Sequence, residues 1–385
     1  MSDDAPAHER YIYAGAEQLR CGFTTGTCAA LASRAAVQSL LGGTVPETVS
    51  LRTPKGWLAT APVIADDALV PFSRGGRSFR CGVRKDAGDD PDVTDGCRVF
   101  ATVRLTAREG GVSVTVDGGA GVGRVTKAGL EQPVGAAAIN RVPRAMIADA
   151  VTAVCESSGF AGEVAVTIDV PGGERLAGRT FNPQLGIVGG ISIIGTSGVV
   201  EPMSEQAMRA ALAAEIRVIA AQCAGKADRP LVITPGNYGT AVAARLPELA
   251  GIPQLTCANF VGDALDLAAA HAFTRVVLVG HAGKFVKLAG GIMQTHSRVA
   301  DCRMELLCAH AALCGADTAT CARVMDCPTV EAALAVLDDR ALTAPVVRSL
   351  LAAARRHVAR RVSGAYPFAL YLFTPERGIL GMTEG

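Results

Sequence analysis

From about residue 204 onward, short runs rich in β-branched residues take turns with helical patterns, and this alternation constrains the fold more than any other feature of the chain. A helix between two strands carries the chain back to the start of the next strand, so strands connected this way pair in parallel. The order is helix 204–223, strand 230–234, helix 240–250, strand 253–258, helix 262–272, strand 275–279, then helices near 298–316 and 343–362. Tyr366–Phe373, which holds four aromatics, reads as a final strand. The first half has a different rhythm. An Ala-rich helical pattern at about 26–41 and a second at about 143–158 sit among alternating runs at Val99–Leu105, Val112–Asp117 and Glu163–Val170. The expected fold is therefore an α+β N-terminal domain joined to an α/β C-terminal domain with a parallel sheet. The glycine-rich stretch Asn182–Ser204 marks the change, which divides the chain into 1–192 and 193–385.

A chain of 385 residues, 49% of them hydrophobic, can bury two such cores. Lys and Arg (37) balance Asp and Glu (36), which argues against nucleic acid or an anionic membrane as partner and requires any anion site to be local. The start MSDDAPAHER is acidic where a secretory signal is basic and then apolar, and no apolar run reaches the ~18 residues of a membrane span. A cytoplasmic location follows as an expectation, with reduced cysteines. Most of the twelve cysteines read as small buried apolar residues. Cys302, Cys308, Cys314, Cys321 and Cys327 are spaced so that successive sulfurs leave a helix on different faces, and no C-x-x-C pair exists. No protein-bound metal is expected.

In a parallel sheet, ligands lie beyond the carboxyl ends of the strands. Three such ends are chemically rich: Pro235-Gly236-Asn237-Tyr238-Gly239, Asn259 to Asp263, and Gly280-His281-Ala282-Gly283-Lys284. Glycine admits a ligand close to the backbone, and Asn and Asp bind hydroxyls or amines; the plainer alternative is that the glycines only make turns. The third loop is not a Walker motif, since it lacks the early glycine and has Phe285 after the lysine. Gly121 to Thr126 has Thr where a dinucleotide fingerprint needs glycine.

Elsewhere, Thr24, Thr25 and Thr27 open a helix whose first turn has no acidic residue, a setting that suits either an anion or a plain threonine cap. Arg84 and Lys85 precede five aspartates, Asp86, Asp89, Asp90, Asp92 and Asp95; their spacing fails the calcium-loop pattern and reads as a solvated loop. Arg124, Lys127, Arg141 and Arg144 stand beside turn residues, where guanidinium forks can meet carboxylates. His281 and His296 flank Lys284, Lys287 and the Gly290-Gly291 pair.

Several ordered segments together resemble the cobalt-precorrin-5B C1-methyltransferase family. They are Cys21-Gly22-Phe23-Thr24-Thr25-Gly26-Thr27-Cys28, Val83-Arg84-Lys85-Asp86 through Asp92, Thr180-Phe181-Asn182-Pro183, Gly189 to Gly195 and Val200-Glu201-Pro202-Met203-Ser204, then the three strand ends above and Thr295-His296-Ser297-Arg298. They run from about residue 20 to 301, and the last 80 residues resemble the family only weakly. The resemblance implies methyl transfer from S-adenosyl-L-methionine to C-1 of a corrin precursor, with cobalt present only as part of that substrate. It also implies two domains. The glycine-containing loop near the start of the commoner tetrapyrrole methylases is absent.

Chemistry and location then suggest roles. Gly236, Asn237, Tyr238, Gly239, Asn259 and Asp263 are candidates to hold S-adenosyl-L-methionine, with Asp263 or Asn259 on its hydroxyls or amino group. Thr24, Thr25, Thr27, Arg84, Lys284 and Lys287 are candidates to grip the acetate and propionate arms of the macrocycle. His281 is the candidate for managing a proton. The expected partners are the small-molecule corrin precursor and neighbouring pathway enzymes, and a homo-oligomer is compatible with the sequence. Two rival readings stay open: a non-catalytic tetrapyrrole carrier of the same pathway, and a nucleotide-dependent phosphotransferase or ligase.

Overall fold

The computed structural model of the chain describes residues 10–14, 16–65 and 77–385. Two compact units, Met1–Glu205 and Gln206–Gly385, each enclose a core of their own.

The first unit is built on a five-stranded sheet of β1 (Ile64–Ala65), β2 (Arg77–Arg84), β3 (Arg98–Ala107), β4 (Val112–Gly118) and β5 (Gly162–Asp169). Its order is β1-β2-β3-β5-β4, antiparallel throughout except for the β5–β4 pair. Alternation along β5 turns Val164, Val166 and Ile168 into the core. Helices α1 (Thr25–Gly42) and α2 (Arg141–Ser157) pack on each other. Alanines at positions 29, 30, 32, 35 and 36 leave α1 without bulk on any side, so it is buried along most of its length. Gly43 stops it in the left-handed region at φ 76°, where glycine carries no steric penalty.

The glycine-rich stretch belongs to this unit. Gly190–Ile191 pairs with Gly121–Val122, Val199–Val200 pairs with Gly22–Phe23, and Ile191, Ile193 and Val199 join the first core. The division between units therefore falls at Glu205, beyond the expected position after residue 192.

The second unit alternates as its sequence does: α3 (Glu205–Gln222), β6 (Pro230–Thr234), α4 (Asn237–Ala243), β7 (Gln254–Thr256), α5 (Val261–Ala270), β8 (Arg275–His281) and α6 (Ala282–Phe285). Four helices follow, α7 (Arg303–Leu313), α8 (Thr318–Met325), α9 (Val330–Asp338) and α10 (Thr343–Val362), and then β9 (Phe368–Thr374) and β10 (Gly378–Glu384). The sheet order is β7-β6-β8-β9-β10, with the first four strands parallel and β10 antiparallel at the edge. One face carries Leu231, Ile233, Leu255, Val276 and Leu278 against α3, α5 and α10; the other carries Val232, Val277 and Val279 against α4.

Two sequence expectations change. Helices α8 and α9 and strand β10 add to the elements read from the sequence, and only six of the twelve cysteines are buried. Of the late five, Cys302 is exposed and the other four are half-buried, with Cys308, Cys314 and Cys327 packed against the margin of the second core. All twelve are unbridged. Among the described residues no helix is long and apolar enough to cross a membrane.

Candidate active site

The chain goes from β6 outward to β7 and then returns past β6 to β8, so the direction of winding reverses between β6 and β8. The connecting helices α4 and α5 lie on opposite faces there, the arrangement beyond whose strand ends ligands bind in open parallel sheets. The three glycine-containing strand ends belong to this edge of the sheet.

At the end of β6, Gly236 precedes α4 with open space around its Cα, and Asn237 and Tyr238 follow it at the surface. Tyr238 is 72% exposed, unusual for an aromatic with nothing to cover it. Gly239 has another purpose. A Cβ there would stand 2.7 Å from the Val279 carbonyl oxygen, so glycine lets α4 lie directly against β8. The hydroxyls of Thr234 and Thr240 are 3.0 Å apart and brace the same turn.

At the end of β7, Cys257 is buried and its thiol is pushed up to about 12 by burial, which keeps it protonated and inert. Asn259 is fixed by the Thr295 N–H, which donates to its backbone carbonyl at 2.9 Å, while the Thr295 hydroxyl approaches its Oδ1 at 3.4 Å. Asp263, in the first turn of α5, faces Arg209 of α3 at 3.1 Å. That guanidinium also lies over the Phe260 ring, 5.2 Å from its centre.

Lys284 ties the strand ends together. Its ammonium donates to the carbonyl of Pro235 at 3.2 Å and to that of Ala258 at 3.3 Å, joining the turns after β6 and β7. Burial lowers its pKa, and Lys287 adds to the effect. The expectation was that Lys284 grips a substrate carboxylate; its two protein acceptors instead make it a brace for the loops. Lys287 goes further inward. It is 2% exposed and donates to the carbonyls of Thr295 and Ala300 at 3.0 and 2.8 Å, with Asp301 3.8 Å away. This ammonium holds the 295–301 loop and is withdrawn from any surface ligand.

His281 closes β8 and caps α6: its Nδ1 accepts the Gly283 N–H at 2.9 Å. An accepting Nδ1 places the neutral ring's proton on Nε2. Burial, helped by Lys284, holds its pKa below the usual imidazole value against the opposite pull of Glu376 and Glu331. In this arrangement His281 is a hydrogen-bond donor through Nε2.

In the first unit the threonines are committed to the backbone. Thr24 caps α1 by accepting the Thr27 N–H at 3.2 Å; Thr25 accepts the Ile194 N–H at 2.9 Å; Thr27 donates to the Gly198 carbonyl at 2.6 Å. The Gly26 N–H is used as well, by the Ile194 carbonyl at 3.0 Å. Residues 192–198 thus occupy the helix end where the sequence allowed an anion. Arg84 lies exposed at the end of β2, paired in register with Arg98.

The aspartate run is wired rather than simply solvated, a correction to its sequence reading. Arg20 clamps Asp86 with two bonds of 2.7 Å, and its N–H donates to Asp89. Buried Lys85 pairs with Asp92 at 2.7 Å. Although burial pushes the Asp92 carboxyl up, Lys85 and Thr94 hold it below the ordinary range. The basic residues beside glycine are likewise engaged: Arg124 forks onto Asp117, and Arg144 donates to the carbonyls of Ile139, Val116 and Ala137.

Sequence reasoning overlooked Glu215. It projects from α3 beside Leu212 and Ile216, which pack with Cys257, and burial pushes its carboxyl up to about 7. A glutamate at the i−1 position of a buried isoleucine is the only sequence signal.

The CbiD family model matches residues 12–202, and the model of the CbiD C-terminal domain matches residues 294–384, which extends the likeness through the last 80 residues. A cobalt-precorrin-5B C(1)-methyltransferase from Ruminiclostridium cellulolyticum is 40% identical over 95% of this chain and 92% of its own length. The chain belongs to the CbiD family. Another curated CbiD relative, the cobalt-precorrin-5B C(1)-methyltransferase from Thermoanaerobacter sp. (strain X514), is 45% identical over 86% of both chains. Among solved structures, the cobalamin biosynthesis protein (cbiD) from Archaeoglobus fulgidus is 28% identical, covers 76% of this chain and 88% of its own, and superposes with a TM-score of 0.41.

Proposed function

We propose that this CbiD protein transfers the methyl group of S-adenosyl-L-methionine to C-1 of cobalt-precorrin-5B, giving cobalt-precorrin-6A on the oxygen-independent route to cobalamin. The observation that carries this reading is sequence identity of 40–45% to curated methyltransferases of that name along most of the chain. Such a reaction is placed in the cytoplasm, with cobalt entering only inside the substrate.

The residues at these strand ends suit the methyl donor. Adenosine and methionine present hydroxyls, an amine, a carboxylate and a flat ring, and Asp263, Asn259, Asn237 and exposed Tyr238 offer a carboxylate, two carboxamides and an aromatic face. Gly236 leaves room beside the backbone. When bound, the donor supplies a methyl group already activated by its sulfonium. The protein's task is then to orient the accepting carbon and keep water out. Lys284 serves that task by holding two of the loops in a fixed relation, and His281 by presenting a neutral N–H donor. In this reading the second unit carries the cofactor; Arg84 has an exposed guanidinium, a group that pairs with carboxylates.

Anaerobic incubation of the purified protein with methyl-labelled S-adenosyl-L-methionine and the cobalt-precorrin tests the reading. Incorporation of label into the corrin supports it. Tight macrocycle binding without incorporation would identify a carrier instead.

A further inference from the structure

The start of α5, which carries Asp263 and follows Asn259, is held from the last turn of α10. Arg361 forks onto Asp266, its Nε donating to Oδ1 at 2.9 Å and its Nη2 to Oδ2 at 2.6 Å. The same Nε–H is shared with the Gly262 carbonyl at 3.1 Å. Gly262 is what admits the guanidinium: a Cβ there would lie 2.6 Å from Arg361 Cζ and 2.8 and 2.9 Å from its two terminal nitrogens. Four residues earlier on α10, His357 lies against Gly291 in a similar way, with Nδ1 3.0 Å from where a Cβ would stand. Residues four apart share a helix face, so one face of α10 backs two glycine-containing segments. Those segments are joined to each other. The Gly262 N–H donates to the Met293 carbonyl at 3.1 Å, Phe260 and Gln294 form an antiparallel bridge, and the Thr295 N–H donates to the Asn259 carbonyl. Just past α10, the Tyr366 hydroxyl adds a buried bond of 2.8 Å to the Leu265 carbonyl.

We propose that Arg361 is a positioning residue for the methyl donor, its fork on Asp266 and Gly262 fixing the first turn of α5 so that Asn259 and Asp263 keep their places at the strand end. The inference rests on the reading of residues 259–263 as donor-binding and extends it to a side chain that does not itself touch the donor. Asp263 and Asp266 are three residues apart and neighbours on the surface of α5. Arg209 of α3 takes the first and Arg361 of α10 the second. Through the Gly262 carbonyl, Arg361 also holds the backbone, so it restrains the turn as well as a side chain. A planar fork is needed for this, because an ammonium is a point charge that cannot match both carboxylate oxygens in one plane. The glycine is accounted for by the same contact. Gly262 lies inside α5 and outside the left-handed region, where glycine is a poorer choice than alanine unless space is required.

Hydrogen exchange and calorimetry on the full-length protein test this with Arg361→Met, Arg361→Lys and Gly262→Ala. The methyl added in Gly262→Ala displaces only the mobile end of the arginine, so this variant keeps the test open if Arg361→Met does not fold. Without ligand, the amides of residues 259–264 are expected to exchange about tenfold faster in Arg361→Met and Gly262→Ala than in wild type, while those of β6 and β8 keep their rates. Affinity for S-adenosyl-L-methionine is expected to fall about tenfold in the same two variants, and less in Arg361→Lys, which keeps the charge without the fork. Unchanged donor affinity in Arg361→Met and Gly262→Ala, with the 259–264 amides protected by the donor in wild type, overturns the positioning role and leaves the donor site standing. Lost affinity accompanied by faster exchange throughout the second unit is general destabilisation and overturns it too. A donor that binds wild type but protects amides elsewhere overturns the reading of the site, and the proposal with it.

Discussion

The Lys284 ammonium lies 3.2 Å from the carbonyl oxygen of Pro235, and the same nitrogen reaches the Ala258 carbonyl at 3.3 Å. One side chain thus fixes the turns after two adjacent parallel strands. Lys284→Met removes both bonds. Hydrogen bonds from a charged donor are worth about 1.5–3 kcal/mol each, and relief of the half-buried charge returns part of that, so a net loss of about 2 kcal/mol is expected. Urea unfolding measures the loss. Affinity for S-adenosyl-L-methionine, read by calorimetry, is expected to fall about tenfold, the equivalent of about 1.4 kcal/mol.

Asp263 supplies a sharper test of the cofactor site. Its pairing with Arg209 is partly exposed, and pairs of that kind contribute about 0–1 kcal/mol to stability. Asp263→Asn is therefore expected to leave the unfolding midpoint almost unchanged while weakening cofactor binding about tenfold. If affinity and turnover both match the wild type, Asp263 does not hold the cofactor.

Lys287 makes the opposite prediction. With its ammonium buried on the carbonyls of Thr295 and Ala300, Lys287→Met leaves both acceptors without their charged donor, and a destabilisation of about 3 kcal/mol is expected. Unfolding in urea measures it. A loss of activity in this variant with undiminished stability would show that Lys287 contacts a ligand.

Stability should also depend on pH through Glu215. Its folded-state pKa, near 7, lies above the unfolded value of 4.5, so the folded chain holds the proton more tightly. Its contribution is fully present below about pH 4.5 and is lost as pH rises through about 7. After allowance for partial exposure the loss is on the order of 2 kcal/mol. Glu215→Gln should therefore flatten the pH dependence of unfolding between those limits and make the protein more stable than wild type at pH 8. Parallel curves for the two proteins would contradict this.

The sequence was informative where structure is set by local periodicity. Strand Pro230–Thr234 and helix Thr343–Val362 lie where the pattern of apolar residues puts them, and the three glycine-containing turns do stand at the carboxyl ends of parallel strands. Helices α8 and α9 are short, and cysteines within α8 and before α9 interrupt the helical pattern, although the helix caps are visible: Asp317 accepts from the Thr320 N–H, and Thr329 from the Ala332 N–H. The fate of individual polar side chains was not legible. Thr25 and Thr27 meet carbonyls and N–H groups about 170 residues further along the chain, and nothing local to residues 24–27 distinguishes a hydroxyl spent on backbone from one awaiting a carboxylate. Lys284 and Lys287 look alike in sequence. They differ because one lies under the open strand ends and the other faces into the loop it closes.

The central claim is regiospecific methyl transfer, and the position of the transferred carbon tests it most directly. With ¹³C-methyl S-adenosyl-L-methionine and cobalt-precorrin-5B under anaerobic conditions, NMR of the isolated corrin is expected to show a single new labelled methyl group on C-1. Label at another carbon, or none in the presence of bound donor and bound corrin, would contradict the account.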